Sequence, residues 1–91
     1  MLFRSAISHK FAAIVNFQGY LYIIGGWNHE GATGNVYKYN PDTNTCHQIA
    51  PMSVARHGVC AVADHSSLYA VGGRVNNTPL DVVEKIGRAH V

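Results

Sequence analysis
The chain is poor in charge: Lys and Arg number 7, Asp and Glu 5, and charged residues make up 13% of its 91 residues. So small a balance gives no basis for a basic stripe that would hold nucleic acid or an anionic membrane surface. It has 2 cysteines and 3 prolines, so neither a disulfide-stapled scaffold nor a proline-rich linker is expected. No apolar run reaches the 18 or so residues needed to cross a bilayer as a helix, and no charged-then-apolar leader is visible. No glycine-rich loop carries the Lys-Ser or Lys-Thr of a phosphate cradle. Apolar residues nowhere recur at helical spacing. These absences leave residues 1–91 without those signals and say little about a longer parent.

What the chain does have is an internal echo. LYIIGG at residues 21–26 returns as LYAVGG at 68–73, and Leu21 and Leu68 are 47 positions apart. The register extends without gaps: Ile7 matches Val54, Val15 matches Val62, Tyr22 matches Tyr69, and Gly25 and Gly26 match Gly72 and Gly73. Further along, Val36 matches Val83 and Lys38 matches Lys85. A fixed period of this size signals repeat architecture, in which one unit cannot bury its apolar face alone. One repeat is expected over residues 6–50 and an incomplete second over 51–85.

The flanks depart from the repeat. IGRAHV at residues 86–91 is what a widely used sequencing adapter encodes, and MLFRS at 1–5 is what its reverse complement encodes with the first codon read as Met. The expectation is that both flanks are adapter-derived. Without Arg4 and Arg88, five basic residues face five acidic ones.

Within one period the expected strands are HKFAAIVNF, YLYIIGG, NVYKYN and CHQIA, with turns at Gln18-Gly19 and at NPDTNT, residues 40–45. Asn first, Pro second and Asp third suit a tight turn. Four antiparallel strands in 47 residues make one blade of a β-propeller. The apolar run closed by two glycines, the Tyr-Asn-Pro turn and APMSVAR before the next strand resemble kelch repeats, and the resemblance covers residues 6–85. It implies an all-β propeller fragment of about one and three-quarter blades. It also implies that the diglycines Gly25, Gly26, Gly72 and Gly73 lie where blades crowd together, so no side chain fits. Tyr22, Tyr69, Tyr39 and Arg56 are the structural positions of the repeat, with His9 where Arg56 recurs and Cys46 where the family usually has Trp opposite Tyr39.

Candidate chemistry is sparse. His9, His29, His47, His57 and His65 lack metal-ligand spacing, and Asp42, Asp64, Asp81, Glu30 and Glu84 form no recognisable catalytic pair, which leaves solvated loops or strand edges as their expected places. Neither a metal, a cofactor nor a catalytic residue is expected. Cys46 and Cys60 are expected to be buried free thiols in a reducing, cytoplasmic or cytoskeletal, compartment. The loops after the diglycines are different: WNHEGAT and RVNNTP share nothing while the flanking core repeats. Loops on a rigid scaffold carry specificity. The ligand-binding candidates are therefore Asn28, His29, Glu30, Arg74, Asn76 and Asn77, with Lys10 and His57 expected near the same face.

The sequence is most like propellers of the BTB-kelch proteins. That resemblance implies a protein-interaction module that captures a ubiquitination substrate, with a BTB domain, absent here, docking a cullin-RING ubiquitin ligase. Other kelch proteins bind actin or act as scaffolds. Kelch-like propellers also include galactose-oxidase-like copper oxidases and sugar mutarotases. The oxidases need Tyr and His copper ligands and a Tyr-Cys crosslink, whereas Tyr20, Tyr22, Tyr37, Tyr39 and Tyr69 fall at positions the repeat assigns to strand core or edge.

Overall fold
The computed structural model describes residues 12–28, 31–75 and 77–86. Every regular element among them is a strand. β1 (Ala13–Phe17) and β2 (Tyr20–Ile24) form a hairpin, with Ala13 opposite Ile24 and Phe17 opposite Tyr20. Its two-residue turn has Gln18 at φ 53° and Gly19 at φ 86°. Positive φ at both centres matches the twist of the strands it joins. β5 (Val36–Asn40) pairs with the far side of β2, and β6 (Thr45–Ile49) closes a four-stranded antiparallel sheet in the order β1-β2-β5-β6. Asn40 caps the β5–β6 turn, accepting the Asp42 N–H on Oδ1 at 2.9 Å, and Asn44 takes φ 55°.

The second period repeats the plan. β7 (Cys60–Ala63), β8 (Leu68–Val71) and β11 (Val83–Ile86) form a three-stranded antiparallel sheet with β8 in the middle. Here Asp64 organises the first turn, its Oδ1 accepting the N–H groups of Ser66 and Ser67. Those donors, Ser66 first, hold the Asp64 carboxyl below its ordinary range.

Each diglycine loop also carries a small hairpin that reading it as plain polar loop missed. β3 (Trp27–Asn28) pairs with β4 (Gly31–Ala32), and β9 (Arg74–Val75) pairs with β10 (Thr78–Pro79). These are two-residue ladders, too short for alternation to reveal them.

The two sheets pack face to face. Tyr22, Ile24 and Val36 of the first meet Leu68, Ala70 and Ile86 of the second, with Met52 and Val59 of the connecting segment between them. Ala13, Val15 and Phe17 line one margin of this core. The period-2 alternation of strands assigns the faces: Tyr22 and Ile24 turn toward the second sheet, and Leu21, Ile23 and Tyr39 turn away. Burial then departs from sequence equivalence. Val36 is 0% exposed while its counterpart Val83 is 62% exposed, because the second sheet covers Val36 and none of the described residues covers Val83.

Cysteine burial is corrected for the same reason. Cys46 is half-buried and sits directly opposite Tyr39, and burial raises its thiol pKa. Cys60 is exposed rather than buried, because it lies on the uncovered face with Val83. Both are free thiols.

Candidate functional site
Strand direction sorts the loops into two ends. The turns at 18–19, 41–44 and 64–67 lie at one end of the sheets; both diglycine loops and the connector 50–59 lie at the other.

At the diglycine end the same hydrogen bonds frame two unrelated loop sequences. Gly25 N–H donates to Asn35 C=O at 2.9 Å, and Gly72 N–H to Val82 C=O at 2.8 Å. Thr33 N–H donates to Gly26 C=O, and Leu80 N–H to Gly73 C=O, both at 2.9 Å. Gly25 has φ +67°, and a Cβ there would stand 2.6 Å from the Arg56 carbonyl oxygen and 2.9 Å from Met52 Cε. Gly72 has φ +70°, but its nearest neighbour would be Leu80 C=O at 3.6 Å. Crowding by the next repeat is thus present at Gly25, whereas backbone conformation alone asks for glycine at Gly72.

The connector binds the two loops into one surface. Arg56 C=O accepts the Gly26 N–H at 2.9 Å, from the first loop. The next residue, His57, exchanges backbone hydrogen bonds with Arg74 of the second loop, at 3.0 and 2.8 Å. The Trp27 ring meets the His57 ring edge-on, with centroids 5.0 Å apart. Arg74 and Asn77 are exposed, and Arg74 Nη1 reaches toward the Asn77 C=O at 3.5 Å.

Below that surface Arg56 is 0% exposed. Its Nη1 donates to Gly72 C=O at 2.9 Å and Val82 C=O at 3.1 Å, and Nη2 lies 3.5 Å from Glu84 Oε1. Nε donates to Met52 Sδ at 3.4 Å. Glu84 in turn accepts the Ser53 N–H at 2.8 and 3.0 Å and the Ser53 hydroxyl at 3.1 Å. A buried guanidinium needs this degree of pairing. Glu84 is accordingly no solvated edge residue: it is half-buried and ties the connector to β11.

The sequence candidates therefore divide. His57, Arg74 and Asn77 share the diglycine end, and Asn28 stands in β3 at the same end, opposite Gly31. Lys10, His29, Glu30 and Asn76 lie outside the described residues. Tyr22 is in the core and Tyr69 half-buried on the uncovered face. Tyr39 donates its hydroxyl to Asn44 Oδ1 at 2.7 Å, at the opposite end. Trp27 was missed as a member of the surface; its signal was being the single Trp, placed directly after a diglycine. Among the described residues no three His, Cys, Asp or Glu side chains are grouped to hold a metal ion, and no helix is long and apolar enough to cross a membrane.

Comparison with known proteins finds two repeats. The Kelch motif family model matches residues 9–53 and 55–86. Human Kelch-like protein 33 is 36% identical over 67 residues, covering 70% of this chain and 13% of that protein. Kelch-like ECH-associated protein 1A of Danio rerio is 39% identical over 59 residues, covering 60% of this chain and 10% of that protein. The chain thus spans roughly a tenth of the length of these curated relatives. The solved structure of YjhT superposes with a TM-score of 0.63 at 27% identity, over 71% of this chain and 21% of that one.

Proposed function
Because the chain belongs to the kelch-repeat family, with the strand plan of propeller blades, we propose that it forms part of a protein-binding propeller whose diglycine loops contact the ligand. The observation that carries this reading is the joined loop surface: different side chains stand on one shared hydrogen-bond frame, beside His57. A rigid frame with variable, polar loop residues suits recognition, and exposed Arg and Asn provide donors and acceptors for a peptide. The likeness to two kelch-like proteins supports a parent that presents the captured protein to a cullin-RING ubiquitin ligase through a BTB domain, in the cytoplasm. Actin is the alternative partner within the same reading.

The test uses the longer protein that carries these repeats, with its bound protein identified by affinity capture and mass spectrometry. Arg74→Ala with Asn77→Ala is expected to weaken capture by about 2 kcal/mol or more, the scale of a binding hot spot. The melting curve should stay in place, since exposed polar substitutions change stability by less than about 0.5 kcal/mol. Capture retained by this variant, and lost on altering Asp42 and Asn44 at the other end, would refute the loop surface.

A further inference from the structure
The second diglycine loop carries a motif that the binding surface leaves unused. Thr78 is the one hydroxyl residue of the sequence that proline follows. Thr78 and Pro79 form β10, and both are exposed, as is Asn77 before them. The backbone frame does not ask for this pair. The 47-residue register places Gly31 and Ala32 at the same two positions of the first hairpin. Their ladder with β3 matches that of β10 with β9, so the hairpin folds without a hydroxyl at this position.

Three features suit Thr78 to phosphoryl transfer. Proline at the next position has no N–H to leave unpaired in a kinase cleft, the feature that proline-directed kinases select. The ladder is two residue pairs long, so it opens locally at little cost. A counter-ion also stands beside it: Arg74 Nη1 reaches the Asn77 C=O at 3.5 Å, the carbonyl of the peptide bond that leads into Thr78. The Arg74 backbone is held by His57 through two hydrogen bonds, so its side chain alone needs to turn. A phosphothreonine carries a charge of about −1.5 to −2 and three acceptor oxygens, and a guanidinium pairs with phosphate through two parallel N–H donors. Asp81, three positions on and exposed, is the carboxylate that opposes it, through solvent and salt that screen the repulsion.

We propose that Thr78 is a phosphoacceptor for a proline-directed serine/threonine kinase, and that its phosphate takes Arg74 as counter-ion and withdraws it from the ligand. The modification stands on the exposed Thr-Pro pair; its effect on capture rests on the loop surface proposed above. In the transfer the Thr78 hydroxyl oxygen bonds to the γ-phosphorus of ATP. The bond from that phosphorus to the ADP oxygen breaks, and the hydroxyl proton passes to the kinase's base.

The test treats the full chain with ATP and a panel of purified proline-directed kinases, and maps phosphate by mass spectrometry. Phosphate is expected at Thr78. It should be lost in Thr78→Ala, and in Pro79→Ala, which keeps the hydroxyl. Phosphorus NMR then follows the second ionisation of the phosphothreonine. It is expected at lower pH in the parent than in Arg74→Ala, because a nearby guanidinium favours the dianion. In the longer protein, phosphorylation is expected to weaken capture of the partner identified by mass spectrometry about tenfold or more, since a donor surface becomes an anionic one. The proposal is overturned by a chain left unmodified at Thr78, by phosphate retained there in Pro79→Ala, or by an ionisation indifferent to Arg74. It is also overturned by unchanged capture in fully phosphorylated protein whose Arg74→Ala with Asn77→Ala variant has lost capture. Capture that survives that double variant refutes the loop reading instead, and the kinase and NMR readouts still decide the modification.

Discussion

Replacing Arg56 by Ala is expected to loosen the connector from the second sheet. The guanidinium donates to the carbonyls of Gly72 and Val82 at 2.9 and 3.1 Å and faces Glu84 at 3.5 Å, and it is 0% exposed. Alanine would leave two carbonyls without this donor and Glu84 without its cation. A hydrogen bond to a charged group contributes about 1.5–3 kcal/mol, and breaking a buried ion pair from one side costs about 3–5 kcal/mol. The pair itself is long, and Glu84 keeps partial exposure together with the Ser53 donors, so the electrostatic share belongs at the low end. A loss of about 3 kcal/mol is expected in all, which for a domain of this size lowers the melting temperature by roughly 12–24 °C.

The assay is a thermal melt by circular dichroism at one fixed chain concentration, comparing Arg56→Ala, Arg56→Lys and Glu84→Gln. Lysine retains charge but loses the planar fork that spans two carbonyls, so it should fall between Ala and the parent. Gln at position 84 keeps an acceptor for Ser53 and should be the mildest. An Arg56→Ala melt within about 0.5 kcal/mol of the parent, the range of neutral surface changes, would refute the view that this side chain ties the connector to the second sheet.

Two further outcomes follow from single sites. Gly25→Ala should destabilise by about 2 kcal/mol or more, combining positive φ with an added methyl facing the Arg56 carbonyl, whereas Gly72→Ala should cost only the conformational part, about 1 kcal/mol; equal shifts in urea midpoint would contradict the packing difference. Cys60 should be alkylated by iodoacetamide well before Cys46, because Cys60 is exposed while burial of Cys46 raises its thiol pKa; matching rates would contradict it.

The strand plan was legible because its determinants are local. The apolar run at Leu21–Ile24 and its copy at Leu68–Val71 fix two central strands, and the diglycines mark where each must leave its sheet. The Asn40 turn announces itself by side-chain chemistry confined to a few residues. Leu21, Tyr69 and Val71, however, are half-buried while their neighbours Ile24, Leu68 and Ala70 are fully enclosed. A repeat sequence states which face is apolar, but burial along that face varies with what lies over each residue: Ile23, on the face turned away from the second sheet, is still 1% exposed.

The candidate surface was legible only as a set of loops. Its assembly depends on the connector, where the APMSVAR motif marks Arg56 as a structural position but not which groups it would bind. Arg56 and Glu84 are 28 positions apart, and neither residue type, nor the spacing between them, signals a pair. The sequence also separates Trp27 from His57 by a full set of strands, yet Arg56 C=O holding Gly26 and His57 exchanging bonds with Arg74 force these residues to one end. The buried charge and the exposed loops are therefore a single construction. The same two-residue stretch, Arg56-His57, clamps the second sheet from beneath through its first side chain and aligns both loops through its backbone. Substitutions at Arg56 should consequently alter ligand capture indirectly, through loop alignment, while substitutions at Arg74 or Asn77 act on the contact itself. A melt separates the two: the first class shifts it and the second does not.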